Sequence, residues 1–160
     1  MNYPIVQGDD NDYYLKRLLD GSWNSAGTIF ADCRNSYDFS DFNTIVYGHN
    51  MKNKSMFGTL KKYTKQDYYN EHPFWYLTTL DKKYKVELVA GYVTPNNSNI
   101  YALEKTKEER DRLLAESIKN SIFTSNIKVN ENDRLISFST CSYEYKNARF
   151  VLLGVLRELE

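Results

Sequence analysis

Cys141 has the surroundings of a reactive thiol. It follows the apolar run 134–140 and is flanked by hydroxyl residues, in the segment Ser139-Thr140-Cys141-Ser142. A cysteine in such a polar setting can be exposed, and its thiolate is then a strong nucleophile. The alternative is a small buried hydrophobe, because free cysteines are among the most buried side chains.

His49 and Arg149 could complete a site for thiol chemistry. His49 ends a strand-like run, Gly48 before it permits a close backbone approach, and the Asn50 side chain can hydrogen-bond a ring nitrogen. Arg149 lies eight residues after Cys141, so a hairpin would bring the two together. A nearby cation raises the thiolate population, and arginine also supplies donors for an oxyanion. The alternatives are a structural histidine and an arginine at the rim of a barrel, whose charged end reaches into solvent.

Other chemistries have weaker support in the sequence. The two cysteines and two histidines form none of the paired spacings of zinc sites, and His72, before Pro73, has no chemical neighbour. We find no glycine-rich loop suited to phosphate. We therefore expect neither a metal nor a cofactor.

The elements that must position these residues are mostly strands. Alternating and continuous apolar runs predict strands at 27–31, 44–48, 74–80, 84–93, 134–140 and 148–157. Helical spacing predicts helices at 10–20 and 106–120, and Thr106 with Glu109 forms a capping box before the second. The expected fold class is mostly β with short helices (α+β), arranged as a closed barrel or a curled sheet.

Composition indicates an ordinary globular chain. Of 160 residues, 41% are apolar and 26% charged, so we expect one domain over 1–160. Equal numbers of acidic and basic residues give no net charge to attract nucleic acid. Two cysteines are too few for a disulfide framework. The sequence has neither a long apolar run nor a leader pattern, so an exported protein would need an anchor beyond these residues.

Three segments together resemble a known family. Tyr47-Gly48-His49-Asn50, Phe138-Ser139-Thr140-Cys141 and Ala148-Arg149-Phe150-Val151 are similar, in order and spacing, to the His, Cys and Arg signatures of sortases. The segments 2–8, 12–15, 27–30 and 55–57 also resemble class B sortases, and so does the helix placed before the Cys strand. The resemblance covers nearly the whole chain.

The resemblance implies a closed eight-stranded β-barrel and a cysteine transpeptidase. Cys141 would attack the carbonyl after Thr in a sorting motif of the Asn-Pro-x-Thr or Leu-Pro-x-Thr-Gly kind and form a thioester. His49 would exchange protons with the leaving and incoming amines. Arg149 and the backbone N–H of Ser142 would stabilise the oxyanion.

The resemblance also implies a peptide groove, partners and a location. The groove residues would be Asn11, Leu15, Ile100, Tyr101, Ser139, Ser142 and Tyr143. The partners would be the sorting-motif peptide of a secreted surface protein and an amine of a peptidoglycan precursor or pilin. The protein would act on the outer face of the plasma membrane through a membrane anchor, and the amino-terminal helices usual in class B do not occur in this sequence.

Some features leave alternatives open. Several relatives place more residues between Cys and Arg, and some carry an acidic residue at the position of Ser142. Cys33 matches no catalytic position, and we interpret it as structural. The rival interpretations are a cysteine peptidase that only hydrolyses and a peptide-binding domain without turnover.

Overall fold

A continuous β-sheet dominates the fold. The computed structural model describes residues 2–103 and 105–159. Its seven strands are β1 (Val6–Gln7), β2 (Phe30–Ala31), β3 (Asn43–Tyr47), β4 (Phe74–Thr78), β5 (Lys83–Pro95), β6 (Arg134–Cys141) and β7 (Ala148–Leu159). The α-helices are α1 (Gln66–Glu71) and α2 (Lys107–Lys119), and 3-10 helices span Tyr13–Leu15, Leu60–Thr64 and Asn99–Tyr101.

The strand order places β6 between a parallel and an antiparallel neighbour. The order is β1-β2-β3-β6-β7-β5-β4. β3 runs parallel to β6, whereas β7 runs antiparallel to both β6 and β5. Neighbouring strands therefore bring the carboxyl ends of β3 and β6 and the amino end of β7 to the same end of the sheet.

The long strands are buried on both faces. Alternate residues of β7 enter two apolar clusters, with Phe150 and Leu152 in one and Val151 and Leu153 in the other. α2 covers the second cluster through Leu113. Burial on both faces explains why β7 is a continuous apolar run over 150–153. β6 is buried as well, but three of its buried residues are polar, and the hydroxyls of Ser137, Ser139 and Thr140 are all hydrogen-bonded.

The structure confirms a mostly β protein with few helices but not a closed eight-stranded barrel. Seven strands lie within the described residues, and their sheet is curled, with β1 and β4 at the two ends of the order. β1 has two residues, and alternate residues of β4 are exposed. Closure would require ladder hydrogen bonds between these end strands, and the register shows β1 paired with β2 and β4 paired with β5.

The helix predicted over 10–20 is wrong in extent. Only Tyr13–Leu15 is helical, as a 3-10 turn whose start is held by the Asp10 carboxylate. The backbone N–H of Thr28 bonds the Tyr14 carbonyl, and its hydroxyl bonds the Arg17 carbonyl. These long-range partners take carbonyls that a continuing helix would need.

Most of the other predicted elements are confirmed. α2 follows the Thr106 and Glu109 capping box, in which both reciprocal hydrogen bonds are present. The strands predicted at 74–80 and 84–93 are β4 and β5, which pair antiparallel. The strand predicted at 27–31 shortens to β2, which pairs antiparallel with β3.

Candidate active site

The sheet brings the three candidate catalytic residues to one end. Cys141, the last residue of β6, is the register partner of Arg149 on β7, so both side chains leave the same face. The β3–β6 pairing continues beyond Tyr47, because the Thr140 hydroxyl donates to the Gly48 carbonyl at 2.7 Å. His49 follows Gly48 directly and therefore lies on the strand path that continues β3 beside the end of β6. All three side chains are half-buried, and Cys141 is a free thiol.

A backbone carbonyl holds the His49 ring. Nε2 of His49 lies 2.6 Å from the carbonyl oxygen of Leu15. The Asn50 amide, predicted from the sequence to be able to bond the ring, instead donates to the Cys141 carbonyl at 2.8 Å. Asn50 thus ties the end of β6 to the loop after β3, and the imidazole takes its orientation from Leu15.

The two predicted oxyanion donors share one acceptor. Nη1 of Arg149 and the backbone N–H of Ser142 both donate to the Ala148 carbonyl, at 3.0 and 2.9 Å. Binding an oxyanion requires these donors to exchange that oxygen for the substrate's. Their role in oxyanion binding stays a prediction.

The loop between β6 and β7 is tied to a neighbouring 3-10 helix. The Glu144 carboxylate accepts hydrogen bonds from the Ser142 hydroxyl and from Lys61, whose Nζ is 3.2 Å away. The Ser142 bond is the main cause of the lowered pKa of Glu144. Tyr143, in the same loop, is 75% exposed and lies beneath the Lys61 ammonium. An aromatic side chain is thus presented to solvent two residues beyond Cys141.

Tyr101 and Ser139 form a polar contact near the thiol. Their hydroxyl oxygens are 2.8 Å apart. Burial raises the pKa of Tyr101, with a further upward contribution from Cys141, whereas the Ser139 hydrogen bond and the Arg149 charge lower it. Tyr101 therefore lies within electrostatic reach of both Cys141 and Arg149.

The other predicted groove residues have structural contacts. Ile100 is 1% exposed and belongs to a core cluster, so its side chain offers little surface to a peptide as the structure stands. The Asn11 side chain accepts from the backbone N–H of Cys33. Leu15 contributes its carbonyl to His49. A groove role for these three residues stays a prediction.

A buried carboxylate that we did not predict from the sequence supports the site. Asp32 is 0% exposed and accepts two hydrogen bonds from the Arg34 guanidinium, at 2.8 and 2.7 Å, and one from the Tyr47 hydroxyl at 2.9 Å. Tyr47 stacks on Tyr101, and Arg34 also donates to the Tyr101 carbonyl. Asp32 thus links the end of β3 to Tyr101. The sequence marks it only as one more polar residue after a strand.

Hydrogen bonds to Asp32 outweigh its burial. Burial alone would raise the pKa of the carboxyl, but the bonds from Arg34, Asn11 and Tyr47 lower it to about 2. Because the folded pKa lies below the ordinary 3.8, this contribution to stability is complete above pH 3.8 and is lost as the pH falls towards 2. The difference corresponds to about 2 kcal/mol.

We predict that Asp32→Asn lowers the free energy of unfolding by about 2 kcal/mol at neutral pH, because the amide cannot replace the charge-assisted bonds to Arg34. Urea unfolding between pH 2 and 7 measures this. The variant should also lose part of the wild-type pH dependence below pH 4. Asp81→Asn is the matched control, since Asp81 is an exposed carboxylate between β4 and β5. Equal stability of the two variants would contradict the prediction.

Other features of the structure give less support to a functional site. A cavity of about 980 Å³, lined in part by Arg34, Phe42, Lys105 and Arg134, contains none of the three candidate catalytic residues. Within residues 2–103 and 105–159, no group of three potential metal ligands comes together. None of the helices described is long and apolar enough to cross a membrane.

A mixed sheet that sets a thiol beside a guanidinium, with an imidazole on the next strand path, is the arrangement expected of a sortase. The chain is 40% identical over 161 residues to a sortase B of Listeria monocytogenes, covering 98% of this chain and 65% of that protein. The chain thus spans less than two thirds of this curated relative. No family model matches the chain.

Solved structures agree with this similarity. A sortase B structure from Listeria monocytogenes superposes with a TM-score of 0.86 at 39% identity, covering 96% of this chain and 86% of that one. A Staphylococcus aureus sortase B–substrate complex gives a TM-score of 0.93 at 28% identity, covering 99% and 75%. The chain belongs to the class B sortase family, as the sequence resemblance indicated.

Proposed function

We propose that this chain is the catalytic domain of a cysteine transpeptidase that cleaves a sorting motif after Thr and joins the new end to an amine. The observation that carries the proposal is the register pairing of Cys141 with Arg149 beside the strand path that ends at His49. Membership of the class B sortase family supports it. Residues 1–160 would act as one domain.

In the first half of the reaction, the Cys141 thiolate attacks the backbone carbonyl carbon of the Thr in the sorting motif. The new C–S bond gives a tetrahedral oxyanion, which Arg149 and the Ser142 N–H stabilise once they leave the Ala148 carbonyl. The C–N bond then breaks, and His49 gives its proton to the leaving amine. The product is a thioester on Cys141.

In the second half, an amine replaces the thiolate. Its nitrogen attacks the thioester carbonyl, His49 accepts the proton released, and the C–S bond breaks as the new amide forms. The acceptor would be an amine of a peptidoglycan precursor or a pilin. Water could take the place of the amine, which would give slow hydrolysis.

The surface around Cys141 suits an extended peptide. Tyr143 is exposed on the β6–β7 loop, and the half-buried Tyr101 is hydrogen-bonded to Ser139, two residues before the thiol. Tyrosines combine apolar area with a polar tip, which fits a motif that contains both Pro and Thr. The solved Staphylococcus aureus complex holds a substrate in that relative. We propose an Asn-Pro-x-Thr or Leu-Pro-x-Thr-Gly motif from a secreted surface protein.

The natural substrates would place the protein outside the cell. Surface proteins and wall precursors meet on the outer face of the plasma membrane of Gram-positive bacteria, so we propose that location. A membrane anchor outside the present chain would hold the domain there.

Peptide cleavage with and without an amine tests the proposal. Quenched fluorescent peptides bearing each motif are incubated with the protein, alone and with triglycine or a diaminopimelate-type amine, and products are identified by mass spectrometry. We expect cleavage after Thr and a product carrying the added amine. A peptide with the same residues in scrambled order is the control and should stay intact.

Two results would favour the rival interpretations. A product that never contains the amine would indicate a hydrolytic cysteine peptidase. That rival usually orients its imidazole with Asn or Asp, whereas here Leu15 contacts the ring and Asn50 bonds the Cys141 carbonyl. Binding without cleavage of either motif by folded protein would indicate a non-catalytic peptide-binding domain.

A further inference from the structure

The contact between His49 and Leu15 determines which ring nitrogen carries a proton. A carbonyl oxygen can only accept a hydrogen bond, so Nε2 of His49, 2.6 Å from the Leu15 oxygen, must carry the hydrogen. In the neutral ring Nδ1 then has the free lone pair. Nδ1 is therefore the atom that gains and loses the proton when the ring acts as acid and base.

Gly27 allows the Leu15 carbonyl to occupy this position. Gly27 is buried and has a φ of +59°, in the left-handed region that favours glycine. A Cβ at Gly27 would lie 2.4 Å from the Tyr14 oxygen and 2.5 Å from the Leu15 oxygen. Both contacts are with backbone atoms, which cannot rotate away as a side chain does. Any larger residue must displace the segment that holds His49.

Neighbouring hydrogen bonds make this segment rigid. The Thr28 N–H bonds the Tyr14 carbonyl at 2.9 Å, and the Thr28 hydroxyl bonds the Arg17 carbonyl at 2.8 Å. Gly27 itself donates to the Asn24 carbonyl. A displacement at Gly27 would therefore reach the Leu15 carbonyl instead of being absorbed by a flexible loop.

We propose that Gly27 is a positioning residue, which sets the Leu15 carbonyl against Nε2 of His49 and so reserves Nδ1 for proton exchange with the substrate amines. The Leu15 carbonyl takes the place that an Asp or Asn side chain has in other cysteine and serine enzymes. The catalytic part of this inference rests on the proposed function, but the protonation of the ring can be tested without any substrate.

The second histidine provides an internal reference. His72 contacts the Tyr68 carbonyl through Nδ1, at 3.1 Å, so its neutral ring should carry the hydrogen on Nδ1, whereas that of His49 carries it on Nε2. The two histidines of the chain should therefore show opposite tautomers.

Nitrogen-15 NMR of the imidazole rings tests the assignment in the wild-type protein. Spectra are recorded at a pH at which both rings are neutral, and His72→Gln identifies the signals of His49. We expect the Nε2–H tautomer for His49 and the Nδ1–H tautomer for His72. A neutral His49 ring protonated on Nδ1 would overturn the proposal, whether or not the protein cleaves peptides.

A pair of glycine variants tests the role of Gly27. Gly27→Ala should move the Leu15 carbonyl, mix the two His49 tautomers and lower kcat about a hundredfold, the size of effect expected from a misplacement of about 1 Å. Gly21→Ala is the matched control, because Gly21 also has a positive φ, +80°, but its Cβ would meet only the Tyr13 hydroxyl, at 3.0 Å. Circular dichroism checks that both variants fold.

The outcomes separate positioning from general damage. A larger loss in Gly27→Ala together with a changed His49 tautomer supports the proposal. Equal losses in the two variants, or an unchanged Nε2–H signal in Gly27→Ala, overturns it. If Gly27→Ala does not fold, the wild-type tautomer still decides whether Leu15 orients the ring. Absence of peptide cleavage with the expected tautomers would count against the proposed function alone.

Discussion

Replacing Cys141 with alanine should abolish peptide cleavage and amine transfer while leaving the fold intact. Among the described residues, Cys141 is the cysteine paired in register with Arg149, and the thioester cannot form without its thiolate. The fold should survive because the side chain is half-buried at a strand end and the Asn50 contact is with the Cys141 carbonyl, which alanine keeps. Fluorescent peptide cleavage measures turnover, and thermal unfolding followed by circular dichroism checks stability.

Cys33→Ala is the matched control for this experiment. Cys33 is also free and half-buried, but its known contact is through the backbone N–H to Asn11, away from the strand end that carries Cys141. We expect near-normal turnover in that variant and mass-detected acyl-enzyme on Cys141 alone. Substantial cleavage by folded Cys141→Ala would rule out the assigned nucleophile.

Strands and helices with strong local patterns could be predicted from the sequence. β5 alternates apolar and charged residues over 84–88 and stays apolar to 93, and α2 begins at a capping box whose residues, Thr106 and Glu109, are three positions apart. β6 and β7 are strand-like segments joined by a short polar loop, which is sufficient to predict a hairpin and to bring Cys141 beside Arg149. In each case the information is local, so the pattern determines the element.

Elements that depend on distant partners could not be predicted in this way. The residues 10–20 have helical spacing, but Thr28 binds the carbonyls of Tyr14 and Arg17 and ends the helix after one turn. The resemblance likewise implied a closed barrel, whereas β1 reaches only two residues and pairs only with β2 among the described strands. Local propensity cannot report such competition from elsewhere in the chain.

The same distinction applies to the candidate site. The order and spacing of His49, Cys141 and Arg149 indicated which residues meet, but the orientation of the imidazole depends on a backbone carbonyl, which every residue has. Asp32 is similar, since its importance comes from Arg34 and Tyr47 converging on it in three dimensions. Gly27 is the one part of this arrangement that is visible as a residue type, because its close contact with Leu15 leaves no room for a side chain.

Arg149→Lys should lower kcat about a hundredfold or more, although it keeps the positive charge at the end of β7. The guanidinium has several donors in a rigid planar fork, so it can direct an N–H group at an oxygen in a fixed geometry. An ammonium is a point charge on a flexible stem and lacks this geometry. In the present structure Nη1 is held on the Ala148 carbonyl at 3.0 Å, beside the Ser142 N–H. Loss of one oxyanion donor typically lowers kcat by a factor of 100 to 1000, which corresponds to an activation barrier higher by about 3 to 4 kcal/mol.

Steady-state cleavage of the preferred motif peptide measures this, and Arg157→Lys is the matched control. Arg157 lies on the same strand at its other end, bonded to Glu87 and Asp133, so its replacement tests a general requirement for arginine in β7. We expect Arg157→Lys to retain kcat and Arg149→Lys to lose it with little change in KM, because the donor acts on the transition state. Near-normal kcat in Arg149→Lys would mean that charge alone suffices, and the forked donor would have no part in the reaction.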